Sequence, residues 1–240
     1  MNWMKAQIIK TVYIEVARRL KDEKAGFEFY TGSSYRVDLV AEGPVSDTLG
    51  WVVDYADLKA FFDPVYRMLD HHCLSDLPGL EDDSSAEALE AWIYRQLNPL
   101  PAWFAGVRVY PVAPDSFCLR RLEADIRAGL PERFSFAFSA AQSLPQLPAG
   151  HPCRELHGHT YQLEMACQDE KALPSIGNAL YNRLNGRHLN RLPGLEQATA
   201  ERIAIWVWDY LNANGAEPIV VGIQETSNNR CYYFGGQAAG

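Results

Sequence analysis

Cysteine is scarce in this sequence and odd in number. There are five, at positions 73, 118, 153, 167 and 231, with no framework-like spacing. Such a set argues against a disulfide-stapled secreted fold and points to reduced thiols in the cytosol. Positive charge is also in short supply. Lysine and arginine total 22 against 30 acidic residues, giving a net charge of −8 and a pI near 5.3. That balance argues against a general nucleic-acid binder, because phosphate backbones attract basic surfaces. An anionic small substrate still fits, since a local basic pocket need not register in the total. No apolar run approaches the ~18 residues of a membrane helix. The start, "MNWMKAQIIK", lacks the apolar core and cleavage site of a signal peptide. The sequence reads as a soluble, cytoplasmic protein without a membrane or nucleic-acid partner.

What is present is enough to build a core. Hydrophobic residues make up 48% and aromatic residues 12% of the chain, which excludes disorder. The 240 residues suit one large domain or two of about 110–120 each.

The chain echoes itself. "LPGLE" occurs at 77–81 and again at 192–196. "DDSSAEALEAWIYRQL" follows the first copy and "QATAERIAIWVWDYL" the second. Ser85 and Thr199 suit helix N-caps, each with an acid in the first turn. Leu89, Trp92, Ile93 and Leu97 then match Ile203, Trp206, Val207 and Leu211 at helical spacing. Earlier helices fall near 58–69, with Pro64 expected to kink or restart the first, and near 173–184. Alternating strands correspond as well: 12–20 with 136–144, 31–39 with 157–165, and 106–112 with 219–225. The pattern is a tandem duplication, with each half β-β-α-α-β. The halves are placed at 1–118 and 133–240, with a charged linker at 119–132.

One stretch carries chemistry. In "CRELHGHTYQLEM" (153–165), His157 and His159 share one face of a strand, so both imidazoles can reach one metal. An H-x-H pair alone is a weak signal. Its surroundings add to it: "FSAAQ" (138–142), "GHPCRELHGHTY" (150–161), "RLPGLE" (191–196) and "QET" (224–226). Together these resemble the 6-pyruvoyltetrahydropterin and 6-carboxytetrahydropterin synthases, with the Cys153–His157 gap closer to the 6-carboxy (queuosine-pathway) branch. "GWVVDYADLK" (50–59) and "LDHHCLSDLPGLE" (69–81) give the N-terminal half the same likeness.

The resemblance implies an α+β protein of two tandem tunnelling-fold domains, each an antiparallel sheet with two helices on one face, assembled as a homo-oligomer. It implies a lyase taking 7,8-dihydroneopterin triphosphate to 6-carboxytetrahydropterin. It also implies zinc at Gln142, His157 and His159, although a carboxamide is a poor ligand beside imidazole. The corresponding N-terminal positions are Arg18, Thr31 and Ser33, so that half is expected to be metal-free. Asp70 and His71 stand where the family has its catalytic Asp-His pair, while the second half has Asn185-Gly186. Cys153 stands for the catalytic cysteine and Glu225 for the pterin anchor, with Pro111 opposite Glu225. The losses are complementary, so the resemblance implies one composite site drawing on both halves. The alternatives are a buried structural cysteine, a helix-end histidine, a non-catalytic pterin- or purine-binding paralogue that has lost zinc, and a 6-pyruvoyltetrahydropterin synthase-like enzyme. Arg133, Arg154 and Arg187 are candidates, by charge alone, for a triphosphate.

Overall fold

The computed structural model describes residues 5–22, 27–46, 48–113 and 116–235. Residues 1–4 and 236–240, included in the expected domains, lie outside the described residues. The N-terminal half runs β1 (Lys5–Asp22), β2 (Phe27–Pro44), α1 (Tyr55–Leu69), α2 (Ala86–Gln96) and β3 (Phe104–Pro111). Its sheet is antiparallel in the order β1-β2-β3. The C-terminal half begins with a short strand inside the charged segment, β4 (Arg120–Leu122). It continues as β5 (Arg133–Gln142), β6 (His157–Cys167), α3 (Leu173–Leu184), β7 (Arg187–His188), α4 (Ala200–Ala213), β8 (Pro218–Gln224) and β9 (Arg230–Tyr233). Its order is β4-β5-β6-β8-β9, with β7 lying parallel to β5.

Each half has its own core between sheet and helices. Ile14, Val16, Val37 and Leu39 meet Leu58, Phe62, Leu89 and Trp92 in the first. Phe136, Phe138, Leu163 and Met165 meet Leu180, Leu184, Ile203 and Val207 in the second. Pro64 lies within α1 without splitting it, because the buried stripe Leu58, Phe62, Val65 and Leu69 holds both sides of the proline on the sheet. The caps form as the sequence suggests, Ser85 Oγ accepting from the Ala88 amide and Thr199 Oγ1 from the Arg202 amide.

The duplication extends to single bonds. Trp92 Nε1 donates to the Pro78 carbonyl at 3.0 Å, and Trp206 Nε1 to the Pro193 carbonyl at 3.1 Å. Asp70 Oδ1 accepts from the Glu15 amide at 3.0 Å, and Asn185 Oδ1 from the Ser139 amide at 2.9 Å. The next residue donates its amide to the Glu15 or Ser139 carbonyl at 2.7 Å in both halves. That residue has φ +61° as His71 and φ +71° as Gly186. Left-handed backbone suits glycine and strains other residues by about 1–2 kcal/mol.

The halves meet where β2 crosses β6. A Cβ on Gly32 would stand 2.4 Å from Gly158 Cα and 2.1 Å from the Ala140 carbonyl oxygen. Only glycine at both positions permits that approach. Beside it, the Ser34 amide donates to Thr160 Oγ1 at 2.9 Å and the Thr160 amide to Ser34 Oγ at 2.7 Å. This reciprocal pair brings the end of α1 in one half against β6 of the other.

Candidate active site between the halves

β6 presents His157 and His159, both buried. His157 Nδ1 lies 2.8 Å from the Glu155 carbonyl oxygen, which leaves Nε2 facing the opposite way. His159 Nδ1 lies 2.9 Å from Glu15 Oε2, a carboxylate supplied by β1 of the other half. Ser34 Oγ donates to the same carboxylate. His71 arrives from the end of α1, its Nδ1 2.8 Å from Asp70 Oδ2. Its ring centre is 4.8 Å from that of His157 and 6.1 Å from that of His159. Cys153 is half-buried in the turn before β6, its amide donating to His151 Nδ1 at 3.2 Å. The ligating atoms of His71, Cys153 and His157 lie within 4.8 Å of one another. Residues from two halves, more than eighty positions apart, thus share one cluster within a single chain.

Glu225 lies just past β8, its Oε1 3.5 Å from His159 Nε2. Gln142 Nε2 donates to Glu225 Oε1 at 2.6 Å and lies 3.4 Å from His157 Nε2. A carboxylate accepts and cannot donate, so it turns the nitrogen of the amide toward itself. Gln142 Oε1 is left buried without a hydrogen-bond partner, and so is His159 Nε2, although Glu225 Oε1 stands 3.5 Å from it. His157 and His159 therefore fit a metal, each with its Nδ1 occupied and Nε2 available. Gln142 does not fit as their third ligand, because its amide nitrogen has no lone pair to give. In the N-terminal half, Arg18 lies over the Tyr35 ring, a fixed cation at the equivalent position.

Burial pushes the His157 imidazole down to about 3 and that of His159 to about 4, so both are neutral, as ligands must be. Burial also works against a charged His71, but Asp70, by hydrogen bond and by charge, holds it above the ordinary value. Asp70 is held low, its burial outweighed by His71 and the Glu15 amide. Burial, followed by the charges of Glu225 and Asp70, pushes the Cys153 thiol up. Glu15 rises to about 8, chiefly through burial.

Two cavities adjoin the cluster. One of about 520 Å³ is lined by Lys10, Tyr13, Glu15, Tyr66, Asp70 and His71. A smaller one of about 250 Å³ shares Tyr13 and Glu15 with it and is also lined by Phe136 and Tyr161. Cys153 and Glu225 line neither. Two arginines considered for a phosphate tail are committed elsewhere. Arg133 is buried against Glu164, and Arg154 Nη1 donates to the carbonyls of Pro145 and Leu147. Glu15 and Ser34 escaped the sequence reading. The signal was a lone acid between Ile14 and Val16 in a buried strand, since a buried carboxylate needs partners. At the start of β8, Ile219 is 40% exposed, whereas Val221 and Ile223 are buried.

A 6-carboxy-5,6,7,8-tetrahydropterin synthase of Synechocystis sp. is 36% identical over 96 residues, 38% of this chain and 74% of that protein. A dihydroneopterin monophosphate aldolase of Pyrococcus furiosus is 30% identical over 95 residues, 40% of this chain and 77% of that protein. The solved 6-pyruvoyl tetrahydropterin synthase of Caenorhabditis elegans aligns with 46% of this chain and 99% of its own, at 20% identity and a TM-score of 0.37. The family model for 6-pyruvoyl tetrahydropterin synthase matches twice, over residues 7–119 and 133–236. With both halves matched, the chain belongs to the 6-pyruvoyl tetrahydropterin synthase family.

Proposed function

We propose that the chain is a lyase of the 6-carboxytetrahydropterin synthase type, with one composite site built by domains 1–118 and 133–240. Its substrate would be 7,8-dihydroneopterin triphosphate or a close pterin. With water, that substrate gives 6-carboxytetrahydropterin, acetaldehyde and triphosphate. The observation that carries this reading is the cluster itself, with His71 beside Cys153 and His157 inside one chain.

The residues divide the work. Glu225 presents a carboxylate to the paired N–H donors of the amino-pyrimidinone edge, a bidentate match. Gln142 steadies that carboxylate. Cys153 takes a proton from the substrate side chain, and Asp70-His71 supplies or relays one. Asp70 fixes the tautomer of His71, leaving Nε2 to face the reacting groups. In the free chain burial, together with the Glu225 and Asp70 charges, holds the thiol protonated. Pterin donors bound to Glu225 would weaken the second of these. A metal on His157 and His159 would polarise the side-chain oxygens, and zinc is the ion the family pattern implies. No step above depends on it.

Gln142 favours a second reading, a pterin-binding paralogue whose chemistry is gone, because the family's third metal ligand is missing. Incubating the chain with 7,8-dihydroneopterin triphosphate and identifying products by mass spectrometry separates the two. Turnover that falls about 10²–10⁴-fold in both Cys153→Ala and His71→Ala is the expected result. Pterin binding that depends on Glu225, with no product at all, would establish the paralogue. Cleavage to a glycolaldehyde-type fragment insensitive to Cys153→Ala would point to aldolase chemistry.

A further inference from the structure

The ligand missing from the family positions has a neighbour that could replace it. His71 commits Nδ1 to Asp70 and His157 commits Nδ1 to the Glu155 carbonyl, both at 2.8 Å. Ligating imidazoles are typically held this way, by a carboxylate or carbonyl on the other nitrogen. Cys153 completes a set whose ligating atoms lie within 4.8 Å of one another. Beside it, His159 Nε2 and Gln142 Oε1 are buried without hydrogen-bond partners. His71 also holds left-handed backbone where the other half has Gly186. Strain kept at one copy of a duplicated position marks a side chain with a use.

We propose that a zinc-class divalent cation binds on His71, Cys153 and His157, one imidazole away from the family positions and shared between the halves. Two imidazoles and a thiolate suit a borderline-soft cation, whereas magnesium and calcium require oxygen ligands. Around a tetrahedral zinc, ligand atoms stand about 3.3–3.6 Å apart, so the cluster would tighten by roughly 1 Å on binding. Three protein ligands leave a fourth position open, the arrangement of a reactive rather than a structural site. The N-terminal half cannot copy it, with Arg18, Thr31 and Ser33 where Gln142, His157 and His159 stand in the other. A cation on these atoms excludes the proton transfers proposed above while it is bound, because it occupies the same nitrogen and sulfur. Turnover therefore cannot separate the two roles, and the test reads the metal.

Chelator-treated protein would be titrated with cobalt(II) by absorption spectroscopy, followed by competition with zinc. One equivalent of tetrahedral cobalt with a thiolate-to-cobalt charge-transfer band is expected. Cys153→Ser should abolish that band, and His71→Gln should weaken zinc binding at least tenfold, while Gln142→Ala leaves it in place. His71→Gly serves as a second variant, since glycine fits the backbone there. Circular dichroism of each metal-free variant guards against misfolding. Cobalt bound without the charge-transfer band would overturn the proposal. So would affinity that survives loss of His71 but disappears in His159→Ala, or no uptake at all. A band retained in a chain that makes no product would sink the lyase reading and leave the metal site standing.

Discussion

Asp70 and Asn185 do one job with two chemistries. Each accepts a backbone amide from its own first strand, at 3.0 and 2.9 Å, and each is followed by a residue in left-handed backbone. Only Asp70 has a second oxygen with charge, and it uses that oxygen to hold His71. The amide in the C-terminal half keeps the architecture and drops the acid. The same division runs through the rest of the molecule. The C-terminal half keeps His157, His159, Cys153 and Glu225, where the other has Thr31, Ser33 and Pro111 at the aligned positions. Backbone bonds were retained in both copies, whereas side chains able to move a proton or hold an ion were retained in one. Folding needs both sets of backbone bonds, but one chemical site needs only one set of side chains.

The crossing of the halves is the first place to test this, because it carries the largest expected effect. Gly32→Ala or Gly158→Ala would force a methyl into the opposite backbone, and we expect a loss of about 3 kcal/mol or more in urea unfolding. Losses under about 1 kcal/mol would mean the halves can separate without harm. Next comes the carboxylate that links them. Glu15→Ala strips partners from His159 and Ser34 and should cost about 2 kcal/mol, with Glu15→Gln costing less. Equal effects would show that an amide cannot take over the hydrogen bonds of the carboxyl group there.

A third test isolates the strained backbone. His71→Gly should be more stable than His71→Ala by about 1–2 kcal/mol, since alanine bears the left-handed penalty and glycine does not. The same swap built at 186, Gly186→Ala, should lose a similar amount. If alanine and glycine prove equivalent at 71, the strain is not real. The pH test uses the Asp70-His71 pair in chelator-treated protein. His71 should titrate above its ordinary ~6.5 by NMR, and in Asp70→Asn its midpoint should fall. The sign for stability follows from the raised value. The His71 contribution is complete below about 6.5 while Asp70 stays ionised, and is lost as pH rises through the folded midpoint. An unmoved midpoint in Asp70→Asn would remove Asp70 as the cause.

Much of the architecture was legible because duplication wrote it twice. The repeated cap, the repeated Leu-Trp stripe and the paired strands each supported the other copy. The site was harder. Its residues come from β6, from the end of α1 and from β1, and periodicity within a strand cannot show what another half lays against it. Family likeness pointed to Asp70-His71 and Cys153. Glu15 had no such pointer, and only the crossing of β1 and β2 over β5 and β6 reveals its contact with His159. The direction of Gln142 was also invisible, because the Glu225 carboxylate 83 positions away decides which end of the amide faces the histidines.

The reciprocal bonds of Ser34 and Thr160 have a consequence for how the molecule behaves on dilution. Between separate chains, such a contact would weaken as concentration falls, and a shared site would fall apart with it. Here both partners lie on one polypeptide, so His71 meets Cys153 at an effective concentration set by the connecting chain, not by the amount of protein in the cell. The fusion turns an encounter into a fixed property of every molecule.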